Sequence, residues 1–449
     1  MSPEPSDTQG GSLTASEIVE LSKRYTMYDW MPQSKATPIP VGRADGVYFW
    51  DVDGKRYLDL NSQLMSVNIG HGNRKVIEAI QRQAEKLPFI SPLMAYEERA
   101  VLGRMLADIW PGDMEKSFFS LGGAEANENA IKIARLVQGA GRFKILARYR
   151  SYHGATTGAM TLTGDPRRWP NEPGLPGVVH VLDPYHGPQQ PADDAATSLR
   201  LLEETIQLEG PDTIAAFILE TVVGTNGILI PPDGYLEGVR ELCTRYGILM
   251  IADEVMCGWG RCGEWFAVNR WNVVPDIITT AKGLTSSYAP LGAVGLTPAV
   301  ADHFTDNVFW SGLTYNTHPL GVAAAIAAIE VMREEDLVER ARQLDPVLRR
   351  HHEELAARHP SVGLHRNIGL FGILELVKNR DTMEPLSPFN TVNETMGAIN
   401  RFLLDNGVAT FVRWHSIMTN PPLIITEEEL SSGFEVLDKA LEIADQAMD

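Results

Sequence analysis

The sequence predicts an α/β protein, with a mostly parallel sheet covered by helices in a large domain and a smaller α+β domain beside it. Three observations lead there. Short aliphatic runs without polar alternation recur as "TIAAFILE" (213–220), "ILMIAD" (248–253) and "PDIITT" (275–280). Segments of helical period lie between them, which is the pattern of strands buried on both faces and joined by helical crossovers. At 449 residues, with no internal repeat or long linker, the chain has length for two or three packed units.

The elements follow in chain order. Residues 1–17, "MSPEPSDTQGGSLTASE", read as a disordered tail; with no basic start and no apolar core they are not a secretory signal. Residues 18–65 form the N-terminal segment of the small domain. There "GVYFWDVDGKRYLDL" alternates on both sides of Asp53-Gly54 and predicts a hairpin. Its Asp-x-Asp-Gly start is not a calcium loop, because Ser62 stands where the closing glutamate belongs. Residues 66–325 form the large domain. In "FFSLGGAEANENAIKIAR" (118–135), Phe118 and Phe119 mark a buried strand end, Gly122-Gly123 a tight turn, and a helix begins at about Ala124. Free backbone N–H groups at such a helix start, with the helix dipole, form an anion site. Neither a G-x-x-x-x-G-K-[ST] loop nor a G-x-G-x-x-G fingerprint is present. In "PPDGYLEGVRELCTRYG", Tyr235, Val239, Leu242, Cys243 and Tyr246 share one helical face, and Gly247 closes the helix. Residues 326–449 complete the small domain, with a long exposed-face helix in "EEDLVERARQLDPVLRRHHEELAARH" and strands around 370–377 and 422–426.

Composition narrows the function. With 39 basic and 58 acidic residues the net charge is −19, which argues against a nucleic-acid or anionic-membrane surface. No apolar run reaches the ~18 to 20 residues that span a bilayer. Three cysteines point to a reducing compartment, and the cytoplasm is the expected address. Cys257 and Cys262 lie close together without histidine partners, so no metal site is expected.

Ligands of open parallel sheets bind beyond the carboxyl ends of the strands. Glu220 ends one run, Asp253-Glu254 the next, and Lys282 follows the third. An acid at a strand end commonly caps the following helix, but three such residues at one sheet edge point to a site. In "RSYHGATTGAM" (150–160), Tyr152 is suited to stack on a planar ring; His153 suits either a ring contact or a satisfied place in the core. A lysine, a carboxylate, an aromatic plate and a helix-start anion cradle are together what pyridoxal phosphate requires. Its aldehyde takes a lysine amine, its ring nitrogen pairs with an acid, and its phosphate needs N–H donors.

"LMIADEVMCGWGRCGEWFA" and "PDIITTAKGLTSSYAPLGAV" strongly resemble the class III pyridoxal-phosphate aminotransferases, the omega-transaminase group of fold type I. The resemblance runs from about residue 20 to the C-terminus and includes "DGKRYLDL", "NIGHGN", "YHG", "GLTYNTHPLGVAAA" and "NPPLIITEEEL". It implies that Lys282 forms the Schiff base with the cofactor and later shuttles a proton. Burial is expected to lower that lysine from its ordinary pKa of ~10.4. The resemblance further implies that Asp253 binds the ring nitrogen, that Val255 and Tyr152 cover the two ring faces, and that His153 and Glu220 support them. The phosphate is expected on Gly122, Gly123 and Ala124, with Thr314 supplied by a partner subunit. Gly122 and Ala124 stand where many relatives have Ser and Thr, which shifts the load to backbone N–H groups.

A residue shared across subunits implies a homodimer with two shared sites, a tetramer remaining open. The implied reaction is a ping-pong transfer from an amine or omega-amino acid (taurine, beta-alanine or an aryl or alkyl amine) to a keto acid, with pyruvate expected. Arg413 matches the arginine that clamps the acceptor's carboxylate, against the plainer reading of a surface salt bridge. Leu64-Met65 replace a small-pocket tryptophan, a pattern closer to taurine–pyruvate and beta-alanine–pyruvate aminotransferases, and flexible Met65 implies a roomier pocket. Two alternatives stay open from sequence: a decarboxylase, racemase or aminomutase on the same scaffold, and a non-catalytic cofactor-binding protein.

Overall fold

Seven strands make the central sheet in this computed structural model, which describes residues 13–185 and 194–448. They are Lys116–Ser120 (β1), Lys144–Arg148 (β2), Val178–Val181 (β3), Ile214–Glu220 (β4), Leu249–Asp253 (β5), Ile277–Thr280 (β6) and Gly292–Leu296 (β7). Their spatial order is β1-β7-β6-β5-β4-β2-β3. The pairs β3–β2, β2–β4, β4–β5 and β5–β6 are parallel, while β7 runs against both β1 and β6. The reason for the unbroken apolar runs is visible in β4, where all seven residues are buried. Burying each large aliphatic side chain there contributes about 1.5–3 kcal/mol, so the center of the sheet tolerates no polar residue.

Helix Gly123–Gln138 packs across β6 and β7, and its buried face is Ala126, Ala130, Ile131, Ile133 and Ala134 with Asn127 and Asn129. Helix Tyr235–Tyr246 buries Tyr235, Leu236, Val239, Leu242 and Cys243 against the sheet. Gly247 ends it in the left-handed region (φ 63°), which glycine enters without a Cβ clash.

The hairpin forms as expected, Tyr48–Asp51 against Arg56–Asp59, with Val41–Asp45 on its outer edge. Its other edge is covered by Val408–Ala409, which runs parallel to Arg56–Asp59 from the far end of the chain. A second antiparallel sheet joins Val362–Ile368, Phe371–Asn379, Ser416–Thr419 and Val412–Arg413. Among the described residues, no helix is long and apolar enough to cross a membrane.

Two expectations are corrected. The tail was expected to run to residue 17, but a helix spans Ala15–Tyr25, started by a reciprocal cap between Thr14 and Glu17; residues 1–12 lie outside the described residues. The expected strand at 422–426 is a turn. Pro421 and Pro422 have no N–H to give a ladder, Ile425 N–H closes on Pro422 O, and Thr426 caps helix Glu427–Asp445. The strand of that region is Ser416–Thr419 instead.

Candidate active site

The three strand ends singled out in the sequence are neighbors. Glu220 on β4 is in register with Asp253 on β5, Asp253 with Thr279 on β6, and Lys282 follows β6 by two residues. All three acids and bases therefore meet at the carboxyl edge of the parallel part of the sheet. They line one cavity of about 530 Å³ with Gly122, Gly123, Ala124, Tyr152, His153 and Val255. That volume is in the range of small-molecule sites.

Asp253 is buried and fully engaged. Its Oδ2 lies 2.7 Å from His153 Nδ1 and accepts from Asn127 Nδ2 at 2.8 Å; its Oδ1 accepts from the Val255 N–H at 3.0 Å. Asn127 is fixed in turn: its Nδ2 also donates to His153 O at 2.8 Å, and its Oδ1 accepts from Thr279 Oγ1 at 2.7 Å. These bonds hold the carboxylate at the cavity floor with little freedom to turn. His153 is thus a partner of Asp253 rather than a filler of the apolar core.

Glu220 acts on the backbone. Its Oε1 accepts from the Tyr152 N–H at 2.9 Å and its Oε2 from the Gly224 N–H at 2.8 Å, which seats Tyr152 in the cavity wall. Burial pushes its carboxyl up to about 6, with the charge of Asp253 adding to the rise and His153 opposing it.

Lys282 lines the cavity, and burial lowers its amine to about 8; the carboxylates of Asp253 and Glu220 limit the fall, and Arg167 deepens it. Near neutral pH such an amine has a substantial neutral fraction, as a nucleophile and proton carrier needs.

Gly123 opens helix Gly123–Gln138, whose first N–H groups have no intrahelical partner and face the cavity. A Cβ at Gly123 would stand 2.8 Å from a Val255 methyl, so glycine lets the helix start and the β5 end close together. A nucleophilic amine, an anchored carboxylate, an aromatic ring and an anion-binding helix start, spaced around one cavity, fit pyridoxal phosphate.

The remaining expected residues lie elsewhere. Met65 packs into a buried cluster with Val222, Ile228, Met256 and Phe371, of which Met256 lines the cavity; Leu64 is exposed, and neither Leu64 nor Met65 lines it. Ser62, Gln63 and Met65 all have positive φ, so the stretch that carries Leu64 and Met65 is neither a regular strand nor a regular helix. Thr314 is exposed in a turn and does not line this chain's cavity. Arg413 is no surface salt bridge. It is largely buried, with its Nη2 donating to Asp165 Oδ2 at 3.2 Å and its guanidinium 4.3 Å from the Trp414 ring center.

Sequence reasoning missed Asn127, Asp165 and Arg167. Asn127 was findable, being one helical turn beyond Gly123 on the same face. Asp165 and Arg167, in "TGDPRRW", carry no local signal beyond an Asp-Pro turn.

The model of the Aminotransferase class-III family matches residues 30–441. The putrescine–pyruvate aminotransferase of Pseudomonas aeruginosa is 33% identical over 418 residues, covering 90% of each chain. The taurine–pyruvate aminotransferase of Bilophila wadsworthia is 33% identical over 448 residues, covering 96% of this chain and 98% of its own. The solved structure of taurine:2-oxoglutarate aminotransferase from Bifidobacterium kashiwanohense, in complex with pyridoxal phosphate and glutamate, superposes with a TM-score of 0.93 at 43% identity, covering 98% of this chain and 100% of that one. A family match of that extent, on a chain whose lysine, aspartate and glycine turn meet in one cavity, shows that the protein belongs to the class III aminotransferases, enzymes that work with pyridoxal phosphate.

Proposed function

We propose that the protein is an omega-transaminase that moves the amino group of an omega-amino acid or amine, of the taurine or beta-alanine type, to a keto acid, with pyruvate as acceptor. The observation that supports the reading is the largely buried Arg413 near Tyr152, a residue that lines the lysine cavity; we read its guanidinium as a receptor for a substrate carboxylate. The names of the taurine- and putrescine-using relatives support the donor class, and those of the pyruvate-using ones the acceptor.

When bound, pyridoxal phosphate supplies the electrophilic carbon and the electron-withdrawing ring that make the substrate's C–H bond acidic. The protein's residues do the rest. Asp253, held by His153, Asn127 and the Val255 N–H, is the anchor for the ring nitrogen. Tyr152 and Val255, which line the cavity, would cover the ring faces, and the Gly122–Ala124 N–H groups would take the phosphate. With the cofactor bound, the Lys282 amine would stand where it can take and return the proton of the substrate carbon. The donor leaves as a carbonyl compound, and the keto acid collects the nitrogen to leave as an amino acid.

The assembly we infer is a homodimer in which Thr314 completes the neighboring subunit's phosphate site. Its support is apolar exposure: Leu93 (92%), Met27 (83%), Trp310 (74%) and Tyr25 (69%) are open on the single chain, and helix Ala15–Tyr25 buries none of its own residues. A cytoplasmic address rests on three buried, unpaired cysteines.

A donor panel tests the function. Holoenzyme given taurine, beta-alanine or 1-phenylethylamine with pyruvate or 2-oxoglutarate should form alanine from pyruvate in step with donor consumed. Use of small alpha-amino acids alone, or turnover without any acceptor, would overturn it; the latter is the signature of a decarboxylase or racemase.

A further inference from the structure

Arg261 is fully buried, and its hydrogen-bond acceptors are all neutral. Its Nη1 donates to the carbonyls of Leu370 at 2.9 Å and Pro421 at 2.5 Å, and its Nη2 to Ser62 Oγ at 3.0 Å and Asn68 Oδ1 at 2.8 Å. Leu370 lies in the turn between Val362–Ile368 and Phe371–Asn379, and Pro421 just beyond Ser416–Thr419. One guanidinium therefore joins an end of the second antiparallel sheet to the segment that follows the hairpin. Burial lowers the group only to about 10, so it stays charged near neutral pH. Burying a cation on neutral acceptors alone is costly, and a full set of well-placed acceptors is what offsets it.

What Arg261 fixes lies beside Lys282. Asn68 Nδ2 donates to Trp259 O at 2.8 Å, and Gly283, the residue after Lys282, is wedged against both. A Cβ at Gly283 would stand 2.5 Å from Trp259 Cβ and 2.7 Å from Asn68 Nδ2. Trp259 Nε1 in turn donates at 2.6 Å to Oγ1 of Thr280, the last residue of β6. The residues after Asn68 hold the far side of the lysine loop: the Ile69 N–H donates to Ser286 Oγ at 3.0 Å, and the Tyr288 hydroxyl donates to Gly70 O at 2.8 Å. Lys282, Ser286 and Ser287 have φ of 45°, 49° and 62°, a left-handed backbone that such residues keep only where the surroundings enforce it. Lys282, Thr285, Ser287 and Tyr288 line the cavity, so a shift of this loop is a shift of the amine.

We propose that Arg261 is a positioning residue for Lys282: by fixing Asn68 it clamps the loop that carries the reactive amine, and the same guanidinium ties that loop to Leu370 and Pro421. A movement of the second sheet then reaches the lysine through one side chain. The proposal rests on Lys282 being the amine that takes the cofactor. Arg261 acts by position and not by charge, since the strongest influences on the amine are burial, then the carboxylates of Asp253 and Glu220, then the guanidinium of Arg167.

The test is the pH dependence of pyridoxal phosphate uptake by the full-length, cofactor-free protein, read as growth of the bound cofactor's absorption band, with the melting temperature measured beside it. Burial is what lowers the Lys282 amine, so a loosened loop admits water and returns the amine toward its ordinary value. Arg261→Met and Asn68→Ala should each raise the midpoint of uptake from about 8 by about one pH unit, the usual spread that surroundings give a lysine. Arg261→Lys, which keeps the cation and some of its donors, should fall between them and wild type. The double variant should match the larger single shift, because both changes break one relay. If Arg261→Met does not fold, Asn68→Ala and Arg261→Lys carry the test, each leaving a buried cation with acceptors. A fall in melting temperature with unmoved midpoints would mark Arg261 as a merely structural tie and overturn the proposal. Shifts that add in full would overturn the relay through Asn68. A Lys282→Ala protein that still forms the band would overturn the lysine reading instead, leaving Arg261 nothing to position.

Discussion

Lys282 shows how much one residue's surroundings decide. Its amine is lowered to about 8 because burial disfavors the ammonium form, and two carboxylates keep the fall from going further. The neutral amine attacks, so uptake of pyridoxal phosphate by the cofactor-free protein should accelerate with rising pH, reach half its maximum at about pH 8 and level off above it. Stopped-flow absorbance at several pH values would show it; a rise continuing toward pH 10.5 would contradict the lowered amine. Lys282, Asp253 and Glu220 were legible in the sequence because each follows an apolar run, and the run sets where the strand stops. Asn127 could be placed only by its position one helical turn beyond Gly123, since its residue type alone does not say whether it faces water or a buried aspartate. The backbone around Leu64 and Met65 was not legible either: Ser62, Gln63 and Met65 have positive φ, and no composition signal announces it.

At the scale of elements, the site is one helix start pressed against one strand end. Gly123 permits the contact: its missing Cβ leaves room for Val255, whose methyls would be 2.8 and 2.9 Å away. Gly123→Ala should push Val255 into the cavity and cost about 1–3 kcal/mol of overpacking. The expected result is a lower melting temperature and faster loss of the cofactor on dilution, read by differential scanning fluorimetry and absorbance; unchanged retention would show that the contact has slack. The parallel strands were readable from their unbroken aliphatic runs. The misread piece, 422–426, had the same aliphatic look, but its prolines and the Thr426 cap outweigh propensity there. What the sequence could not supply was the pairing of Val408–Ala409 with Arg56–Asp59, because two-residue strands have no period to read.

For the molecule as a whole, the proposed homodimer is what the exposed Leu93, Met27, Trp310 and Tyr25 put to the test. Light scattering should give twice the 49.5 kDa chain mass. Subunit exchange between Lys282→Ala and Thr314→Ala proteins should restore tight cofactor binding at one site of each mixed pair, because that site receives an intact lysine and an intact threonine. Absence of recovery after exchange would place Thr314 outside the neighbor's site.

The strand Val408–Ala409 also sets a timetable. It closes the hairpin sheet from the far end of the chain, and nearby Ser62 Oγ donates to the carbonyl of Asn420, 358 residues away. Contacts of such separation close late, after the intervening chain has found its place. During synthesis the hairpin leaves the ribosome first but has to wait, one edge bare, until almost all of the polypeptide has followed. Premature termination anywhere before residue 408 would therefore strand a nascent chain with an open sheet edge, a substrate for chaperones and proteases rather than a smaller working enzyme.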